Sequence, residues 1–369
     1  MKNIKRNILL NPGPATTTTS VKHAQVVPDI CPREQEFGDV IEFVSTKLTQ
    51  FIADPAQYVT VLFGSSGTAA VESILSSVID QGILIINNGA YGKRMCEIAD
   101  TYNLRYIEFQ SSLTEPIDLQ QLDTWIQQSA FACSHLAVVH HETTTGLLND
   151  IASIGGLCKK YSMDFIVDAM SSYAAIPIHM KDMNISYLAA SSNKNLQGMP
   201  GISFVIACTE KLKASREIKP KNYYLHLFSQ YDYYSLHRQT RFTPPVQTFY
   251  ALQQAIRELE VETVENRYAR YVRSWETLVS GCNEMGLEYL VPEHSHAKLI
   301  TAIKDPICSG YDFMEMHDFL YSNGYTIYPG KLANHHSFRV ANIGDITYMD
   351  IENFLKLLAE YLKRIKYIQ

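Results

Sequence analysis

Five short, mainly apolar runs each end abruptly in small or polar residues, and this repeat constrains the fold more than any other feature of the chain. They are residues 59–63, 84–86, 136–139, 165–167 and 187–190. Between them lie segments with apolar residues at helical spacing, such as Ala70, Val71, Ile74, Leu75 and Val78. A strand that alternates apolar and polar residues has one wet face, whereas a continuous apolar strand is covered on both. Strands of this kind alternating with helices predict a largely parallel sheet sandwiched by helices. Ligand groups in such sheets collect at the carboxyl ends of the strands. A further apolar strand, Ile202 to Ala207, follows Lys194 so closely that an antiparallel course is expected for it.

The strand ends carry the chemistry. Asp168 closes the run Phe165-Ile166-Val167, and 26 residues later Lys194 stands in Ser191-Ser192-Asn193-Lys194-Asn195, ahead of a loop with Gly198, Pro200 and Gly201. A lysine that can bond an aldehyde, with a carboxylate to keep a pyridine nitrogen protonated, is what a pyridoxal phosphate enzyme requires. Residues 59–63 run into Gly64-Ser65-Ser66-Gly67-Thr68 and then a helix. That turn offers free backbone N–H groups, hydroxyls and the positive end of a helix dipole, which together suit a phosphate. No lysine closes the turn, which argues against a nucleotide-binding loop. Tyr91 follows the strand at Leu84–Ile86 and either stacks on a planar ring or packs in the core. Thr143, Thr144 and Thr145 form a polar wall after Leu136–His140. His140 and His141 are joined by no third ligand at a characteristic spacing, so no metal site is expected.

The remaining segments frame this centre. Leu9 to Pro14 and Thr16 to Thr19 dictate an irregular arm, over a site entrance or free. Arg33, the one cation in the turn-rich piece before a helix at about Gln35–Thr49, is a candidate anion contact. Residues 220–250 are rich in tyrosine, histidine and arginine and read as an interface, a site wall or core. A long helical region from Val246 to Glu284 is expected to break near Glu262. A smaller unit of strands and helices follows from Lys298. There Arg339, between Phe338 and Val340, faces away from both neighbours, toward a cleft. Its guanidinium is the right fork for a carboxylate, with an internal ion pair as the other use.

Composition narrows the class. With 369 residues, 46% of them apolar and 19% charged, the chain can bury a sizeable core in two domains. A net charge of −6 argues against nucleic acid as a partner. Seven scattered cysteines fit reduced thiols, and no apolar run is long enough to predict a membrane span, so the cytoplasm is the expected compartment.

The motifs together resemble the class V, fold-type I pyridoxal phosphate aminotransferases, and are most similar to their 2-aminoethylphosphonate–pyruvate transaminase branch. The resemblance rests on Asn11-Pro12-Gly13-Pro14, Asp29 to Glu34, Gly64 to Thr68, Asn88 to Gly92, Glu142 to Gly146, Asp168-Ala169, Ser192-Asn193-Lys194 and Phe338-Arg339-Val340. It implies a large domain with a mainly parallel seven-stranded sheet and a smaller C-terminal α/β domain. The expected division is an arm over 1–20, a large domain over 21–260 and a small one over 261–369, with the arm on either. Lys194 would carry the cofactor and shuttle the proton, Asp168 would hold the pyridine nitrogen, and Tyr91 would stack on the ring. Ser66, Gly67 and Thr68 would hold the phosphate with Asn193, and Thr243 would reach it from the other subunit of a homodimer with shared active sites. Thr143 would approach the ring substituents, and Arg339, with Arg33 as a weaker candidate, would bind substrate. The expected partners are a small amino donor and a keto acid, either aminoethylphosphonate with pyruvate or an alanine/serine–glyoxylate pair. A desulfurase-like reading would need a mobile cysteine, for which Cys308 is the nearest candidate. A cofactor-free protein of this fold would carry no visible absorbance band.

Overall fold

A computed structural model describes residues 6–129, 131, 133–330 and 336–369. Its centre is a seven-stranded sheet: β1 (Tyr58–Phe63), β2 (Ile83–Asn87), β3 (Tyr106–Gln110), β4 (His135–Val139), β5 (Asp164–Asp168), β6 (Ile185–Ser191) and β7 (Ser203–Cys208). The strand order is β1-β7-β6-β5-β4-β2-β3. Five strands pair in parallel, and β7 runs antiparallel to both its neighbours, β1 and β6. The short connection after Lys194 leaves no room for a crossover, which is the physical reason for the reversal.

Apart from the edge strand β3, the strands are buried on both faces, as their continuous apolar runs require. On one face Phe165, Val167, Leu136 and Val138 pack with Phe37 and Val44 of helix Gln35–Gln50 and with Phe249 and Leu252 of helix Val246–Glu262. On the other, Ile166, Ala137 and Val139 pack with Ile74 and Leu75 of α1 (Gly67–Val78) and with Met95 and Ala99 of α2 (Ala90–Thr101). Successive residues of a strand point to opposite faces, so one apolar run feeds two cores.

The expected helix break falls at Thr263, whose φ of 66° ends helix Val246–Glu262 and whose hydroxyl caps helix Val264–Glu284. The smaller unit holds an antiparallel sheet of Ile300–Lys304, Ser337–Ala341 and Tyr328–Pro329. Its own core includes Phe338, Val340, Phe354 and Leu358. The strand expected over Tyr325–Tyr328 is split, because Tyr325–Thr326 pairs instead with Ile8–Leu9 of the arm. Two further differences concern irregular sequence. The arm contains that short strand and a helix Thr19–His23, and the aromatic stretch contains helix Leu227–His237, ended by Arg238 in the left-handed region at φ 55°. Residues 1–5 of the arm lie outside the described residues. From Ile8 and Leu10 in the small core, the arm crosses to the large sheet, where the Ala15 N–H donates to the Asn193 carbonyl at 2.9 Å.

Candidate active site

Four strand ends meet at one small cavity of about 20 Å³, lined by Tyr91, Val139, His141, Thr143, Asp168, Met170, Ser171 and Lys194. The parallel course of β2, β4, β5 and β6 delivers the segments that bear these residues to a single edge of the sheet. Lys194 lies three residues beyond β6, and its Nζ donates to the Pro12 carbonyl at 2.6 Å. The arm therefore roofs the lysine. Gly13 sits so close that a Cβ there would lie 2.2 Å from Nζ, and its φ of 140° also suits glycine.

Asp168 is the last residue of β5. Its Oδ1 accepts the Met170 N–H at 2.9 Å, which leaves Oδ2 for a donor from the cavity. Burial pushes its carboxyl up to about 6, against the Met170 N–H and the positive charges of Arg94 and Lys194. An acid held above its unfolded value costs stability once it must ionise in place. The cofactor-free protein should therefore match Asp168→Asn in melting temperature below about pH 4 and fall behind it as pH rises through about 6. A difference in melting temperature that stays constant with pH would contradict this.

The other walls follow from local structure. Tyr91 stands in the first turn of α2, and the Arg94 guanidinium lies over its ring, 4.9 Å from the centroid. Arg94 Nη1 also donates to Thr68 Oγ1 at 3.5 Å, which places a cation beside the turn at Ser66–Thr68. Ser66 is the N-cap of α1 but makes no side-chain cap bond, and the first N–H groups of α1 have no partner within the helix. Asn193 accepts the Ser191 hydroxyl at 2.9 Å through its own Oδ1. Thr143 Oγ1 and His141 Nε2 are buried without a hydrogen-bond partner among the described residues. Because His141 Nδ1 faces the Ser171 carbonyl at 3.4 Å it carries the proton, and Nε2 is an acceptor. Burial pushes His141 down to about 4, so the ring is neutral.

Arg339 comes from the small unit to the Thr143 wall of this cavity without itself lining it. Its Nε donates to the Pro329 carbonyl at 3.0 Å and its Nη1 to the Thr143 carbonyl at 3.3 Å. Phe338 and Val340 point into the small core, so alternation sends Arg339 the other way, as the sequence suggests. Arg33 and Thr243 fall elsewhere. Arg33 donates to the Gln239 side chain and to the carbonyls of Thr240 and Arg241, fastening the loop that carries Thr243. Thr243 is exposed and lines a separate cleft with Phe63, Gly64 and Phe242. Cys308 does not line the Lys194 cavity. Among the described residues no group of three or more His, Cys, Asp or Glu could hold a metal ion, and no helix is long and apolar enough to cross a membrane.

Sequence reasoning missed Glu142, Arg94, Met170 and Ser171 as members of the site. Glu142 is fully buried beside Tyr91, and a buried carboxylate among threonines is a signal that the motif Glu142 to Gly146 carried unused.

A deep carboxylate with one open oxygen, a lysine, an open helix start and two orphaned polar atoms fit pyridoxal phosphate. Asp168 could hold the ring nitrogen, Lys194 the aldehyde carbon, and Ser66 to Thr68 the phosphate. The fold and site thus define a pyridoxal-phosphate-dependent enzyme. The family model for class V aminotransferases matches residues 18–318, and the chain belongs to that family of pyridoxal-phosphate-dependent aminotransferases. Two curated relatives are similar along nearly all of it. One is the bifunctional phosphonoacetaldehyde hydrolase/aminoethylphosphonate transaminase of Clostridioides difficile, 37% identical over 97% of this chain and 56% of that protein. This chain thus spans little more than half of that relative's length. The other is the 2-aminoethylphosphonate–pyruvate transaminase of Vibrio vulnificus, 36% identical over 94% of this chain and 95% of that one. Among solved structures, alanine–glyoxylate aminotransferase from Nostoc sp. superposes with a TM-score of 0.90 at 22% identity, covering 98% of this chain and 96% of the other, which supports the fold.

Proposed function

We propose that this chain transfers the amino group of 2-aminoethylphosphonate to pyruvate, giving phosphonoacetaldehyde and L-alanine. The observation that carries this reading is Arg339. A guanidinium has five N–H groups, and among the described residues two of these are spent on Pro329 and Thr143, which leaves others for an anion. Its fork fits a carboxylate and a phosphonate alike, so one residue serves two substrates that occupy the site in turn, in a ping-pong order. The names of the two curated relatives support the donor.

Bound pyridoxal phosphate supplies the electron sink that lets the carbon beside the amine give up its proton. The side chains do the rest. Lys194 Nζ would take that proton as a general base and return it as a general acid to the former aldehyde carbon, two atoms away across the nitrogen. Asp168 would hold the ring nitrogen, and Tyr91, braced by Arg94, would stack on the ring. Ser66, Gly67, Thr68 and Asn193 would hold the phosphate, and Thr143 would meet the ring substituents. Thr243 completes the cradle of a second subunit in a homodimer, on a loop that Arg33 keeps in place.

The test is a half-reaction without pyruvate. Purified enzyme is mixed in turn with 2-aminoethylphosphonate, L-alanine and L-serine while the cofactor's visible band is followed. Loss of the band with aminoethylphosphonate and with alanine is expected. Loss with alanine and serine but not with aminoethylphosphonate would replace the proposal by an alanine/serine–glyoxylate activity.

A further inference from the structure

Glu142 lies at the centre of the contacts that join Tyr91 to the anchor of Arg339. It ends the two-residue strand His141–Glu142, which pairs with Leu147–Leu148 across a tight turn of threonines. Glu142 Oε1 accepts the Thr144 N–H at 3.0 Å and the Thr144 hydroxyl at 2.5 Å. Its Oε2 accepts the Tyr91 N–H at 3.2 Å, and the Ala90 N–H donates to Thr144 Oγ1 at 3.2 Å. The first turn of α2 is therefore capped from a distant segment, because Gly89 has no side chain to cap it. A Cβ on Gly89 would lie 2.2 Å from the Glu142 carboxyl carbon, so the carboxylate occupies the place a side chain there would take.

We propose that Glu142 is a positioning residue for the transamination. Its carboxylate fastens the helix that presents Tyr91 to the turn that presents the Thr143 carbonyl, and that carbonyl anchors the Arg339 guanidinium. The ring-stacking tyrosine and the anion-binding arginine thereby keep one spacing although they belong to different parts of the chain. Two carboxylate oxygens are needed because three donors converge on them. A glutamine can accept through one oxygen, and its amide N–H₂ would confront either Tyr91 N–H or the Thr144 pair with a second donor. A carboxylate at a helix N-terminus also suits the dipole, whereas a neutral amide does so less. The inference rests on the roles given above to Tyr91 and Arg339.

Glu142→Gln is made in the holoenzyme and compared with Arg339→Lys. Two readouts separate positioning from mere folding: KM for pyruvate against kcat, and the visible circular dichroism of the bound cofactor, which reports ring orientation. Loss of one charged hydrogen bond predicts a KM about tenfold higher, with a smaller change in kcat and a weakened dichroic band. A raised KM in Arg339→Lys beside an unchanged KM and band in Glu142→Gln would overturn the role of Glu142. An unchanged KM in Arg339→Lys would instead overturn the reading of Arg339 on which it rests. Should the glutamine chain fail to fold, Thr144→Val takes its place. It removes one donor to the carboxylate and the acceptor of Ala90, and it should show the same signature in weaker form. A native KM and band in that variant would overturn the proposal.

Discussion

Replacing Lys194 by alanine abolishes transamination in the expected outcome, because one amine performs two tasks. In the proposed reaction it would bond the cofactor aldehyde and carry the proton from the substrate carbon to the former aldehyde carbon. Proton transfer by a positioned side chain is worth about 10²–10⁴-fold on its own, and the loss of covalent attachment adds to it. The variant should still fold, since no cluster of buried apolar side chains includes Lys194. Multiple-turnover assays, with thermal melts beside them, are the check. Turnover within tenfold of the parent would remove Lys194 from the mechanism.

The second large effect is expected from a residue with no side chain. In Gly13→Ala the new methyl would lie 2.2 Å from Lys194 Nζ and 2.6 Å from Cδ and Cε. The far end of a lysine can swing aside at little cost, and here that motion is the damage. A displacement of about 1 Å in a reacting group can cost about 10²-fold in rate. The φ of 140° adds about 1–3 kcal/mol of backbone strain for alanine, taken up by the arm. The expected result is a fall in kcat of about 10²-fold with a melting temperature lowered by only a few degrees. A variant with native kcat would show that the arm does not constrain the amine.

Much of the fold was legible in advance for a physical reason. Runs such as Phe165-Ile166-Val167 are apolar at consecutive positions, which only two-faced burial explains, and the short link from Lys194 to Ile202 forced the antiparallel strand. Asp168 and Lys194 were legible because a charge at the end of an apolar strand has few bland uses. Arg339 was legible from alternation alone. Glu142 was not, because its significance comes from donors on residues 91 and 144, which are brought together only by the pairing of β2 with β4. Arg33 shows the converse case. Its charge suggested a ligand, and in the folded chain three of its contacts go to residues 239–241, a segment more than 200 positions away. The split of Tyr325–Tyr328 was hidden because its partner is the arm, whose prolines and glycine gave no strand signal.

Strand β7 bears none of the cofactor's expected contacts, yet it works as a ruler. Both β1 and β6 lie against it in antiparallel register, so their carboxyl ends emerge at the same edge with one strand between them. Two interstrand steps of about 4.7–4.9 Å put the start of the Ser66–Thr68 turn roughly 10 Å from the end of β6, where the chain leads to Lys194. The bond between Ser65 Oγ and Ser203 Oγ, 2.7 Å long, fixes the near end of that gauge. A cofactor that carries its phosphate at one end and its reactive carbon at the other would thereby be measured by a strand that bears none of its expected contacts. Shifting the β7 register would detune the site without altering any residue in it.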